Sequence, residues 1–249
     1  NILAHYDLGN DFYARWLDPT MTYSSAIYSS KDQHLQDAQI AKYRSIARNL
    51  KLKSGDKVLE IGSGWGGFAE VAAKEYGAKV TSITISDAQH DYAVQRIADI
   101  GLSDQVEIVM RDYRDVQGEF DAVASIEMFE AVGEEYWPSY FAKIAGVLKP
   151  GGRAALQIIT IDDAHFEDYR SRPDFIQRYI FPGGMLPSER RLREETAAAG
   201  LGFEVDAMFG ESYGRTLAEW AKRFEMSWDQ IKGGKFDESF RRLWLYYLS

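Results

Sequence analysis

The residues best placed for chemistry lie in one short run, Val58-Leu59-Glu60-Ile61-Gly62-Ser63-Gly64-Trp65-Gly66-Gly67-Phe68-Ala69. Val58, Leu59 and Ile61 have the apolar character of a central parallel strand. Gly62 and Gly64 allow a tight turn and leave room for a ligand against the backbone, while Gly66 and Gly67 allow a close start to the next helix. Glu60 stands just ahead of the turn. Strand, glycine turn and a helix over 68–76, in that order, predict a nucleotide-type cofactor site. The acid that dinucleotide enzymes carry at the end of the second strand is missing, because Val80-Thr81-Ser82-Ile83-Thr84 takes its place. That argues against NAD. The Thr84 hydroxyl or the Gln89 amide could hold a ribose instead, since both donate and accept hydrogen bonds. Asp112 could accept from an adenine amino group, with Tyr113 stacking nearby.

Holding that turn in place requires a sheet. The stretch 37–50 reads as an amphipathic helix, with Ala38, Ile40, Tyr43, Ile46 and Leu50 on one side. Strands are expected over 79–85, 106–110, 120–126 and 153–161. A helix capped by Ser86 runs to residue 100, and another covers 137–148. This alternation predicts an α/β, doubly wound sheet with ligands at the carboxyl ends of its strands. Further on come a polar helix over 162–172, an apolar loop at 180–184, a helix over 188–199 and a late strand over 203–209. The chain then passes through Glu211-Ser212-Tyr213-Gly214-Arg215-Thr216 into helices rich in Trp220, Phe224, Trp228, Phe240, Trp244 and Tyr246. The first stretch is crowded with Tyr6, Phe12, Tyr13 and Trp16, and reads as a cap that folds over the cofactor site and excludes water. With no internal repeat or linker, one domain is expected: a helical cap (1–50), a cofactor core (51–161) and added segments (162–249).

Composition narrows the function. The chain has 249 residues, 45% hydrophobic and 27% charged, as an ordinary globular domain does. No stretch approaches the ~20 apolar residues of a membrane span. A net charge of −9 argues against a general nucleic-acid binder. There is no cysteine for disulfides or thiolate metal sites, and His5, His34, His90 and His165 show no ligand spacing. The chain opens at Asn1 without Met and stops at Ser249 within an aromatic helical pattern, so a fragment of a longer protein is expected.

The Lys149-Pro150-Gly151-Gly152 turn, following such a glycine motif, resembles the Rossmann-like sheet of class I S-adenosylmethionine-dependent methyltransferases. Other motifs narrow the resemblance. They are His5-Tyr6-Asp7-Leu8-Gly9-Asn10-Asp11-Phe12-Tyr13, Met21-Thr22-Tyr23-Ser24-Ser25-Ala26, Ser86-Asp87-Ala88-Gln89, Ser125-Ile126-Glu127-Met128-Phe129-Glu130 and Tyr179-Ile180-Phe181-Pro182-Gly183-Gly184. Together they resemble the cyclopropane-fatty-acyl-phospholipid synthase family, whose relatives include the mycolic acid methyltransferases. The likeness continues through Tyr213 and Arg241-Arg242-Leu243-Trp244-Leu245-Tyr246-Tyr247, covering nearly all of the chain. Full-length members often carry a further N-terminal domain. The resemblance implies S-adenosylmethionine as cofactor, held by Tyr23, Ser24, Gly62, Gly64, Trp65, Gly66, Thr84, Ser86, Gln89, Asp112 and Tyr113.

The family transfers a methyl group to a cis double bond of a lipid acyl chain. An alkene is a poor nucleophile and needs the methyl held close, in a dry site. The resulting carbocation can be stabilised by aromatic faces, by ~0.5–2 kcal/mol each. Tyr23, Phe129, Tyr179, Phe181 and Tyr213 are candidates. Ring closure then requires a base, in the synthases a bound bicarbonate. The resemblance carries Glu130, Tyr213 and the backbone of Ile159 over to that anion site. Two positions depart from it: Ser25 stands where the family has cysteine, and Gln157 where it has histidine. Ala131 also replaces a histidine. Glutamine cannot be cationic, so bicarbonate is held less strongly. The reading therefore leans to a methyl-branched, unsaturated chain, with a furan-fatty-acid precursor as one form of it. Cyclopropane formation is the alternative. A small-molecule O- or N-methyltransferase is disfavoured by the apolar loop at 180–184, and a non-catalytic binding module by the retained Glu130 and tyrosines. The substrate class implies peripheral contact with the inner face of the membrane from the cytoplasm. Lys222, Arg223, Lys232, Lys235, Arg241 and Arg242 among the C-terminal aromatics are candidates for that contact, although packing on the sheet is the commoner use of such aromatics. The family is often dimeric.

Overall fold

The computed structural model describes residues 8–249, so His5, Tyr6 and Asp7 of the first motif lie outside the described residues. The sheet has five strands: β1 (Lys57–Ile61), β2 (Lys79–Thr84), β3 (Val106–Met110), β4 (Phe120–Ile126) and β5 (Leu148–Gln157). All pairings are parallel, in the order β3-β2-β1-β4-β5. Period-two alternation divides the strand residues between two cores. Val58, Val80, Val106 and Ala122 face one side, where they meet Tyr43 and Ile46 of α2 (Leu35–Asn49), Phe68 and Ala72 of α3 (Gly67–Tyr76) and Ala93 and Ile97 of α4 (Asp87–Asp99). Leu59, Ile61, Ile83 and Val123 face the other, against Trp137, Phe141 and Ile144 of α5 (Trp137–Val147). The order of strands reverses at β1, so ligands belong at the carboxyl ends of β1 and β4.

A third core lies over those carboxyl ends. It joins α1 (Asn10–Trp16), α8 (Gly210–Ile231) and α9 (Glu238–Leu248) through Phe12, Tyr13, Trp16, Trp220, Phe224 and Trp244. Trp16 meets Trp220 edge-on at 5.8 Å, and Phe12 meets Trp244 at 5.2 Å. Each such pair adds ~0.5–1.5 kcal/mol beyond area burial. The cap therefore has a core of its own, which also takes in Trp65 from the glycine turn. α6 (Phe166–Ser171) and α7 (Glu189–Ala198) complete the described α-helices. Ser86 and Ser188 cap α4 and α7 as their sequences predict.

Four expectations are corrected. The stretch 203–209 is not a strand: its alternation is right, but no neighbouring strand offers it a ladder, and Val205 and Met208 are exposed. β5 begins at Leu148, taking the glycine turn into the strand through a register shift opposite β4, and ends at Gln157 rather than 161. The polar helix over 162–172 contracts to α6. Tyr213 lies within α8 rather than in a segment before it. The C-terminal aromatics Trp220, Phe224, Trp228 and Trp244 are buried. Arg223 donates to the carbonyls of Trp16 and Leu17, Lys232 pairs with Asp229, and Arg241 pairs with Glu225 and Glu238. Those aromatics are thus spent on internal packing, while Arg223, Lys232 and Arg241 have partners within the chain. Among the described residues, no helix is long and apolar enough to cross a membrane.

Candidate active site

The glycine turn leaves β1 with Gly62 at φ +94° and Gly64 at φ +49°, and the Gly62 N–H donates to the Ile83 carbonyl at 3.0 Å. A Cβ on Gly62 would come within 3.1 Å of the Met128 side chain. The absence of side chains here opens a cavity of about 360 Å³. It is lined by Tyr23, Ser24, Glu60, Gly62, Gly64, Trp65, Thr84, Ser86, Gln89, Asp112 and Tyr113, and also by Glu127. Gly66 is the exception among the expected cofactor residues. It starts α3 in the left-handed conformation, and its missing Cβ accommodates Ala93 of α4 at 3.3 Å. Its glycine serves helix packing, not the cavity.

Local bonds organise this end. Thr84 Oγ1 donates to Gln89 Oε1 at 3.1 Å and accepts from the Ser86 N–H at 3.1 Å, which directs the Gln89 amide. Asp112 is not a free carboxylate: Arg114 holds it through Nε at 3.0 Å and a second nitrogen at 2.6 Å, keeping its carboxyl below the usual range. Trp65 Nε1 donates to Asn10 Oδ1 at 2.8 Å, tying the turn to the cap. Glu60, 2% exposed, accepts from Ser82 Oγ, and burial pushes its carboxyl up to about 8. An acid of that kind at the cavity floor suits a cationic ligand, whose charge would restore its ionised form.

Behind the cavity lies a second polar cluster, drawn from five separate segments. The parallel register sets Ile126 beside Gln157, so Glu127, the residue just past β4, meets the end of β5. Glu127 Oε1 accepts from Gln157 Nε2 at 2.8 Å and from the Ser25 N–H at 2.8 Å. Gln157 Nε2 also donates to the Ser25 carbonyl at 3.1 Å, which leaves Gln157 Oε1 buried and unpaired. The Ile159 N–H donates to Glu130 Oε1 at 2.5 Å, and Glu130 Oε2 is buried and unpaired. The Ser25 hydroxyl donates to the Ala26 carbonyl at 3.0 Å. Burial, then the neighbouring Glu127 charge, pushes Glu130 up to about 8. Burial likewise raises Tyr213, which sits in the field of both carboxylates. The structure thus brings Ser25, Glu130, Gln157, Ile159 and Tyr213 into one cluster.

Sequence reasoning missed two members. Glu127 has φ +47°, a left-handed conformation that costs a side-chain-bearing residue ~1–2 kcal/mol. Lys42 of α2 is 0% exposed, donates to Ser24 Oγ at 2.5 Å, and is depressed to about 7 by burial, against the opposing pull of Glu127 and Asp18. Glu127 is raised by burial, with Lys42 opposing most strongly. A lysine on the buried side of an amphipathic helix was the available signal. The aromatic candidates divide. Tyr23 and Phe181 pack in the third core, where Tyr23 and Tyr247 share a hydrogen bond at 2.9 Å. Phe129 packs among Trp137, Tyr140 and Phe141. Tyr179 is 63% exposed and so stands outside any dry site.

The sheet order and the cavity at the head of β1 define a domain of the class I S-adenosylmethionine-dependent methyltransferase fold. The family model for mycolic acid cyclopropane synthetase matches residues 1–249, and the chain belongs to that family. It is 40% identical over 257 residues to tuberculostearic acid methyltransferase UfaA1 of Mycobacterium tuberculosis, covering 100% of this chain and 60% of that protein. It is 39% identical over 245 residues to the cyclopropane-fatty-acyl-phospholipid synthase of Escherichia coli, covering 98% of this chain and 61% of that protein. The chain thus spans about three-fifths of the length of these relatives. Among solved structures it matches mycolic acid cyclopropane synthase CmaA1 complexed with SAH and CTAB, with a TM-score of 0.91 and 29% identity over 99% of this chain and 90% of that one.

Proposed function

We propose that the protein is an S-adenosylmethionine-dependent C-methyltransferase that acts on a double bond of an unsaturated phospholipid acyl chain and leaves a methyl-branched, unsaturated product. The cofactor supplies an electrophilic methyl group on a cationic sulfur. The residues present fit it: Gly62 leaves room where a Cβ would meet Met128, and Glu60 offers a buried acid to a cation. Thr84 and Gln89 would hold the ribose, and Tyr113 would flank the base. The cap excludes water, and Tyr213 presents an aromatic ring beside the carboxylates, where positive charge develops on the acyl chain.

One observation carries the choice of product. The donors that an exchangeable anion would need are already engaged by the chain's own carboxylates, the Gln157 amide by Glu127 and the Ile159 N–H by Glu130. Gln157 offers only a lone-pair oxygen beyond that. Bicarbonate there would compete with Glu127 for the Gln157 amide and the Ser25 N–H, and with Glu130 for the Ile159 N–H. The relative UfaA1, named a tuberculostearic acid methyltransferase, accords with this reading. Ring closure is the second reading, favoured by the similarity to the E. coli synthase. Membrane contact is assigned to the exposed aromatics Tyr179 and Tyr246, which flank Phe175 next to the loop at 180–184. The test is incubation with methyl-labelled S-adenosylmethionine and dioleoyl phosphatidylglycerol vesicles, followed by mass and double-bond analysis of the acyl chains. A retained double bond supports the proposal, a saturated ring supports the second reading, and label only on a soluble acceptor defeats both.

A further inference from the structure

Two carboxylates stand at the head of β4, and their surroundings differ. Glu130 has its Oε1 on the Ile159 N–H, an unpaired Oε2 and the Glu127 charge as a neighbour. Burial and that charge both favour its protonated form. Glu127 has Lys42 to support its charge, and two donors, Ser25 N–H and Gln157 Nε2, converging on Oε1. It also lines the cofactor cavity, where Glu130 does not. Burial raises both carboxyl groups, so position separates them: Glu127 faces the cavity with Oε1 held by two donors while Glu130 is set back from it, which assigns Glu127 as the group placed to take a proton there. The backbone reinforces the assignment: a left-handed φ favours glycine, yet a glutamate occupies it and is clamped by its own N–H to the Gln157 carbonyl at 2.8 Å.

We infer that the Glu127 carboxylate is the built-in base of the reaction, occupying the donors that would otherwise hold an exchangeable anion. The inference rests on the reading that the site methylates an alkene. In the transfer, the alkene π pair forms the new carbon–carbon bond to the methyl group as the sulfur–methyl bond breaks. Positive charge then falls on the other alkene carbon. Oε2 of Glu127, which carries none of the hydrogen bonds found among the described residues, accepts a proton from a carbon next to that cation. The C–H electron pair becomes the new double bond, and Glu127 becomes a neutral acid. Its proton returns to solvent through the cavity that Glu127 lines. Ser25 and Gln157 act as positioning residues that aim the carboxylate, and the Lys42 charge opposes the rise that burial imposes on it.

The test compares Glu127→Gln and Glu127→Gly with the unaltered protein, using methyl-labelled S-adenosylmethionine and dioleoyl phosphatidylglycerol vesicles. Both variants are expected to lose roughly 100-fold or more in labelled acyl product while calorimetric affinity for S-adenosylmethionine stays within about 3-fold. Glycine relieves the left-handed φ and vacates the space between Ser25 and Gln157. Added formate is therefore expected to restore product about 10-fold in Glu127→Gly and not in Glu127→Gln, whose amide fills that space. Product formation by either variant within about 3-fold of the unaltered protein overturns the inference. So does a glycine variant that binds cofactor but is not rescued by formate. A cyclopropane product from the unaltered protein overturns only the branched-chain reading, because the same loss and rescue then report on Glu127 as the base of ring closure.

Discussion

The two ends of the pocket are built in opposite ways. The cofactor end comes mostly from β1, β2 and the turns that follow them, so its groups are near neighbours in the chain. The end behind it draws Ser25 from the cap, Lys42 from α2, Glu127 and Glu130 from the head of β4, Gln157 and Ile159 from the end of β5 and Tyr213 from α8. Glycine freedom shapes the first. The second is shaped by buried charge, where each group's state depends on the others. The cofactor end should therefore respond to substitution one residue at a time, whereas the far end should respond as a unit.

The largest effect expected on stability is at the far end. Lys42→Met removes the positive charge that most opposes the burial of Glu127, a loss of about 3–5 kcal/mol below pH 7, where Lys42, itself depressed to about 7, carries that charge. Urea unfolding at pH 6 should show the loss. It should be largely recovered in the Lys42→Met/Glu127→Gln double variant; additive losses would show that the two residues do not act together. At the cofactor end, Gly62→Ala meets both the left-handed φ and Met128 at 3.1 Å, and should cost ~1–2 kcal/mol, about a tenfold loss of S-adenosylmethionine affinity. Gly66→Ala should instead lower the melting temperature with affinity nearly kept, because its Cβ faces Ala93. Equal effects on affinity would break the distinction between a turn that faces ligand and one that faces a helix.

A pH series probes both ends at once. Glu60 and Glu130 are each pushed up to about 8 from an ordinary value of 4.5. The folded state therefore binds more protons than the unfolded state between these values. Their contribution to stability is fully present below about 4.5 and is lost as pH rises through about 8. Melting temperatures without ligand should fall across that window, and Glu60→Gln and Glu130→Gln should each flatten the slope. The smallest effect is expected at Arg114→Ala. The pair with Asp112 lies at the surface, where water screens it, so stability should barely move while Asp112 is freed towards the cavity. A large loss of cofactor affinity would show instead that Arg114 holds Asp112 in its working position.

Much of the frame was legible before the tertiary structure. β3 and β4 fall on their expected residues, because short runs rich in Val, Ile and Phe between turn residues write a strand locally. The caps at Ser86 and Ser188 were legible because a hydroxyl meeting a backbone N–H three residues on is a local event. The stretch 203–209 was misread for the converse reason. Alternation describes a side-chain pattern, and a strand also needs a partner that local sequence does not provide.

Within the site the same division holds. The sequence by itself determined the glycine turn, its strand and helix, and hence where a nucleotide-type ligand would lie, because φ freedom and apolar periodicity are properties of consecutive residues. It also marked Ser25 and Gln157 as departures from the family. Only the tertiary structure decided what those departures mean. Parallel register set Gln157 against Glu127, the cap delivered the Ser25 N–H to the same oxygen, and α2 buried Lys42 nearby. Charge state is a property of that assembled environment, since burial and Coulomb interaction act through space and not along the chain.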